Sequence, residues 1–130
     1  MAELSLTHSF SASPEVLWDA VAFEKLADWH PLVPNLELSE EGQVRTMGFG
    51  PMRAVERCVA RDARSYTYVV ERSPLPVRDY RAVWSVQADG EGSSLAIHAS
   101  YEPKGPAEAA DMLLRAFFAA GFEALARALA

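Results

Sequence analysis

The sequence predicts an α+β fold: a seven-stranded, curved antiparallel sheet wrapped around a long C-terminal helix, with two short helices after the first strand. Three observations predict it. Pro106 to Ala130 repeats apolar residues at helical spacing. Six runs between Leu36 and Glu102 alternate apolar and polar residues and are parted by turn-forming residues. A seventh alternating run stands ahead of the short helices. Tight turns between successive strands require antiparallel pairing. With too few strands for a second sheet, the sheet must curl around the helix to bury its apolar face.

In the first strand Leu4, Leu6, His8 and Phe10 alternate with Glu3, Ser5, Thr7 and Ser9, a period of two with one face covered. Ser13-Pro14-Glu15 opens a helix. The serine hydroxyl can accept from a free N–H, proline suits the first position, and glutamate suits the positive end. Val16, Leu17, Ala20 and Val21 form its expected buried stripe, with Trp18 beside it. A second short helix, Phe23 to Trp29, is stopped at His30-Pro31, because the residue before proline is pushed out of the helical region.

Strands then follow. Leu36 to Ser39 and Gln43 to Met47 form a hairpin across Glu41-Gly42, and Gly48-Phe49-Gly50-Pro51 breaks the run. Met52 to Arg61 and Ser65 to Arg72 flank the turn Asp62-Ala63-Arg64. Pro74-Leu75-Pro76 interrupts, since proline cannot donate into a ladder. Val77 to Ala88 and Ser94 to Glu102 flank Asp89-Gly90-Glu91-Gly92, and Pro103-Lys104-Gly105 leads into the final helix. On that helix Glu108, Asp111, Arg115, Glu123 and Arg127 share one arc. Ala110, Leu113, Leu114, Phe117, Phe118, Gly121, Ala124, Leu125 and Ala128 fill the other, the pattern of a half-buried helix.

Composition narrows the function. The 130 residues suit one domain, 1–130, able to bury roughly two-thirds of its unfolded surface without a metal or disulfide staple. A net charge of −6 with no local Lys/Arg cluster argues against nucleic acid. Cys58, a single cysteine, fits a reducing interior. With no secretory signal and no apolar run long enough to span a membrane, the expected compartment is the cytoplasm. His8, His30 and His98 are isolated, so no metal site is expected. Nor is any Gly-rich phosphate loop or activated nucleophile evident, and no cofactor is expected.

Alternation assigns the inner faces. Tyr66, Tyr68 and Val70 share one side of their strand, as do Tyr80, Ala82, Trp84 and Val86, and Leu95, Ile97, Ala99 and Tyr101. Any one of these aromatics is ordinary core, but Tyr68, Tyr80 and Tyr101 bring hydroxyls that need partners when buried. The helix opposite presents Gly121 and many alanines, which either leave a pocket or permit close approach. The strand from Met52 has two readings. With Val55 and Val59 inward, Glu56 is solvated; with the Cys58 face inward, Glu56 enters the interior and needs a partner, for which Arg45 on the neighbouring strand is placed.

Taken together, several motifs resemble a known family. They are Ser13 to Trp18, Leu26-Ala27-Asp28-Trp29-His30-Pro31, Gly42-Gln43-Val44-Arg45, Glu56-Arg57 followed by Asp62, and Tyr66-Thr67-Tyr68. Pro74-Leu75-Pro76-Val77 with Tyr80, Tyr101 to Gly105, and Gly121 to Leu125 complete the set. The chain resembles the polyketide cyclase/dehydrase type 2 family of the START-like (SRPBCC) superfamily, which includes the pollen-allergen (Bet v 1-like) and lipid-transfer folds. The resemblance implies a helix-grip, in which the sheet grips the C-terminal helix and the short helices close one end around a hydrophobic cavity. It also implies that Arg45 and Glu56 face inward. Ile97 stands where relatives often carry tryptophan.

Three functions follow as expectations. One is a cofactor-free cyclase, dehydratase or isomerase acting on a polyketide-like molecule, with Glu56 as base, Arg45 stabilising an enolate-like oxygen, and His30 as a second candidate base at the expected mouth. Another is a lipid, quinone or metabolite carrier or sensor whose polar groups only orient the ligand. The third is an interaction domain with a filled core. The expected partner is a hydrophobic small molecule (polyketide, lipid or aromatic metabolite), held by Trp29, Tyr68, Tyr80, Trp84, Ile97, Tyr101, Leu114, Phe117 and Gly121. The expected assembly is a monomer, or a homodimer through a sheet edge or Phe49.

Overall fold

Successive hairpins build the sheet. A computed structural model of the chain describes residues 1–130, with every side chain except that of Phe49, so the expectation that Phe49 supports a dimer lies outside what is described. β1 spans Ala2–Phe10 and is followed by α1 (Pro14–Ala20), a 3-10 turn at Phe23–Lys25 and α2 (Leu26–Trp29). β2 (Leu36–Ser39), β3 (Val44–Phe49), β4 (Met52–Arg61), β5 (Ser65–Arg72), β6 (Val77–Asp89) and β7 (Gly92–Pro103) come next, then α3 (Ala107–Ala128). The seven strands are ordered β1-β7-β6-β5-β4-β3-β2, and every neighbouring pair is antiparallel.

Local chemistry explains the boundaries. The Ser13 hydroxyl accepts from the Val16 N–H at 3.2 Å, and Pro14 opens α1. Only two turns long, α1 turns Leu17 and Val21 inward while Val16, expected in the buried stripe, faces solvent. The second short helix is divided into the 3-10 turn and α2, and ends at His30 before Pro31 as the proline rule requires. Glu40, Glu41 and Gly42 carry positive φ in the β2–β3 connection, and Gly42 takes that conformation without a Cβ penalty.

The inner face of the sheet follows the alternation. Tyr66, Tyr68, Tyr80, Ala82, Trp84 and Val86 are buried, as are Leu95, Ile97, Ala99 and Tyr101. Register shifts in the β4–β5 ladder and between Arg78 and Arg81 in the β6–β7 ladder mark bulges, which bend a sheet. On α3 the buried stripe is Ala110, Leu114, Phe118, Gly121, Phe122 and Leu125. It departs from the sequence reading at three places. Phe122 is buried against the His8 ring at 5.2 Å, whereas Leu113 and Ala128 are exposed. The solvent face carries the i,i+4 pairs Asp111–Arg115 and Glu123–Arg127. Because α3 packs against β1 and α2, the sheet from β3 to β6 stands away from its Leu113–Phe117 side.

Candidate functional site

That separation leaves a chamber of about 570 Å³ between α3 and the sheet. Its walls are apolar: Met47, Ala54, Val70 and Val77 from the sheet, Leu26 from α2, and Leu114, Phe117 and Phe118 from α3. The rim carries Pro31, Leu32 and Pro34, the segment Ser73-Pro74-Leu75, and Leu113, with Leu32 and Leu113 about half exposed. The charged and phenolic groups gather at the buried end, where Arg45, Glu56, Tyr68 and Tyr80 lie beside Trp84.

The Arg45–Glu56 pair follows from strand register. The two residues are direct partners across β3 and β4, so their side chains emerge on the same face. Ala54 and Cys58 are buried on that face, which settles the geometric question that alternation leaves open: Glu56 and Arg45 point inward. Arg45 Nε and Nη2 reach Glu56 Oε1 at 2.8 and 2.6 Å, and Nη1 donates to the Phe23 carbonyl at 2.7 Å. The guanidinium also lies 4.2 Å from the Phe23 ring centroid and 5.0 Å from that of Tyr68. Arg45 is 1% exposed and Glu56 13%. Burial pulls the Arg45 pKa down, but the Glu56 carboxylate and the neighbouring tyrosines outweigh it, so the net shift is upward and the residue stays charged.

The tyrosines form the next row. Tyr66 donates to the Val21 carbonyl at 2.8 Å, tying the end of α1 to the sheet. The Tyr68 hydroxyl accepts from Trp84 Nε1 at 3.3 Å. The Tyr80 hydroxyl is buried near that of Tyr68 without hydrogen-bond geometry, and no described group pairs with it. Burial pushes all three phenols above the ordinary tyrosine range, so they stay protonated.

His30 is not an exposed base at the mouth. It is 3% exposed; Nε2 lies 2.9 Å from the Phe117 carbonyl, and Nδ1 accepts from the Leu32 N–H at 3.2 Å. Those two bonds require the neutral tautomer with the proton on Nε2. Burial lowers its pKa, partly offset by the carbonyl. It clamps the rim segment to α3 from outside the chamber lining.

Of the residues expected around a ligand, Tyr68, Tyr80, Trp84, Leu114 and Phe117 line the chamber; Trp29, Ile97, Tyr101 and Gly121 do not. Gly121 sits under the His30 and Trp29 rings, where helix and loop meet closely. Ile97 belongs to β7, where the sheet is covered rather than open. Tyr101 lines a separate shallow depression with Asp111 and Arg115. Sequence reasoning missed Met47, Ala54 and Leu75. The first two were recoverable, because they stand two residues from Arg45 and Glu56 on the same strand faces.

Among the described residues no group of three or more His, Cys, Asp and Glu side chains is placed to hold a metal, and no helix is long and apolar enough to cross a membrane. The fold is that of several solved proteins. XoxI from Bacillus cereus is 27% identical over 99% of this chain and 96% of its own, with a TM-score of 0.93. A START superfamily protein from Mycobacterium smegmatis (14% identical, 98% and 96% covered, TM-score 0.80) and Ara h 8.0201 (15%, 98% and 97%, 0.77) share the architecture. The search of curated proteins returns no match. A family model described as polyketide cyclase / dehydrase and lipid transport matches residues 1–130. The chain is a START/Bet v 1-like helix-grip of the hydrophobic-ligand-binding type, and it belongs to the polyketide cyclase / dehydrase and lipid transport family.

Proposed function

We propose that the protein takes a polyketide, lipid or aromatic metabolite into the chamber and carries or presents it unchanged, with Arg45, Glu56 and the tyrosines orienting its polar end. The observation that carries this reading is an apolar chamber of about 570 Å³ whose charged and phenolic groups are confined to its buried end. Pockets of that size and lining suit small hydrophobic molecules. Several groups a catalyst would draw on are already engaged. Both ring nitrogens of His30 are bonded, Arg45 serves Glu56 and Phe23, and the phenols are held protonated. Native mass spectrometry of the gently purified protein tests it. A mass excess released by solvent and recovered unchanged after prolonged incubation supports carriage; conversion of the molecule overturns it.

One observation favours a second reading. Glu56 Oε2 takes no hydrogen bond from a described group, which leaves a carboxylate oxygen available as a base for cofactor-free cyclisation, dehydration or isomerisation. On that reading Glu56→Gln lowers turnover by orders of magnitude while binding survives; unchanged turnover removes the role.

A further inference from the structure

We propose that the chamber selects ligands that are uncharged at their buried end and present a hydroxyl or N–H donor there, and that it rejects carboxylates. The inference rests on the chamber being a ligand site and specifies the chemical class it admits.

Charge is the first argument. Arg45 and Glu56 are the only charged side chains among the described residues lining the chamber. Every guanidinium nitrogen of Arg45 is already bonded, Nε and Nη2 to Glu56 and Nη1 to the Phe23 carbonyl. The pair is therefore electrically closed, and no further cation is at hand for an anion. A ligand carboxylate at this end would lie against Glu56 where water screens poorly, and like charges repel strongly there.

Hydrogen-bond capacity is the second. Glu56 Oε2 is unengaged by described groups, and an ionised carboxylate can only accept, so the ligand must donate. The Tyr80 hydroxyl belongs to a residue 4% exposed and makes no hydrogen bond of good geometry with a described group. Buried polar atoms are nearly always paired, so this one is completed by a ligand oxygen that accepts from it. A phenol or hydroxy-ketone satisfies both groups; an ionised fatty acid can accept from Tyr80 but has no proton for Glu56 and sets a second negative charge beside it. Tyr68 adds a second donor beside Tyr80, because its hydroxyl accepts from Trp84 Nε1 and keeps its own O–H proton.

Quenching of tryptophan fluorescence, to which Trp84 in the chamber contributes beside Trp18 and Trp29, reads out binding of 1-naphthol, 1-methoxynaphthalene and 1-naphthoate to the full chain at neutral pH. Naphthol is expected to bind about tenfold more tightly than its methyl ether, the range of one hydrogen bond to a charged acceptor, with naphthoate weakest. In Glu56→Gln, naphthoate is expected to gain about tenfold as Arg45 loses its counter-charge. Should that variant not fold, Tyr80→Phe is expected to weaken naphthol about tenfold and leave naphthoate weak. Equal binding of naphthol and its ether, or naphthoate binding tightest to the unmodified protein, overturns the inference alone. Failure of all three probes to bind overturns the ligand-site reading beneath it.

Discussion

Gly121 lies directly beneath the imidazole of His30. A Cβ at Gly121 would come within 2.7 Å of His30 Cδ2, 2.8 Å of Nε2 and 3.1 Å of the Trp29 ring. The imidazole has little room to move. It is stacked on Phe117 at 4.1 Å and bonded at both nitrogens. A helical glycine beside a rigid ring thus lets the rim segment approach α3, and that approach helps define the chamber's edge.

Gly121→Ala tests this contact. Helix propensity alone would favour alanine by about 1 kcal/mol. Overpacking against a pinned ring costs about 1–3 kcal/mol, and we expect the steric term to win. The urea midpoint should fall by the equivalent of roughly 1 kcal/mol. A raised midpoint would show that the ring slides freely and that the clamp is loose.

The same imidazole predicts a pH response. Its folded pKa is depressed by burial, with the Phe117 carbonyl opposing. Below about 6.5, the ordinary value, the unfolded chain takes up a proton that the folded one resists. This contribution to stability is therefore complete above 6.5 and is lost as pH falls toward the lower folded value. Stability of the unmodified protein, read by equilibrium unfolding, should fall over that interval, and His30→Gln should flatten the profile there. An unchanged slope in the variant would place the titration elsewhere.

Much of this architecture is legible in the sequence, and the reasons are local. Alternation in β6 and β7 fixes which aromatics face inward, because each strand has one clearly apolar face. β4 offers two rival faces, Val55 with Val59 and Ala54 with Cys58, so periodicity cannot orient Glu56. Its register to Arg45 decides the matter, and register is a property of two strands. Leu113 and Phe117 look like core on a helical wheel. Their surroundings differ because α3 rests on β1 and α2 and leaves this flank over the chamber. His30 reads as a loop histidine beside a proline; its partner Phe117 is 87 residues away.

The Arg45–Glu56 pair should respond asymmetrically to truncation. Breaking a buried pair typically costs about 3–5 kcal/mol, because one charge is left uncompensated. Arg45→Met leaves a carboxylate that is 13% exposed and keeps some contact with water. Glu56→Leu leaves a guanidinium that is 1% exposed and cannot lose its proton. Glu56→Leu should therefore be the more damaging single change by chemical denaturation. The double variant Arg45→Met/Glu56→Leu should recover to within about 2 kcal/mol of the starting protein, since an apolar replacement removes both desolvated charges. Additive losses in the double variant would mean that the pair is not coupled.

Filling the chamber should separate its role in binding from its role in folding. Val70 is half-buried, lines the chamber and faces the space between sheet and α3. Val70→Phe extends apolar surface into that space. A side chain entering a void adds contacts instead of displacing neighbours, so the denaturation midpoint should hold or rise. Affinity for a neutral naphthalene probe should meanwhile fall about tenfold, as the added ring occupies volume a ligand would use. If stability drops sharply while probe affinity is unchanged, Val70 is packed against protein and the probe binds elsewhere. The opposite pair of results would tie the apolar walls of the chamber directly to uptake.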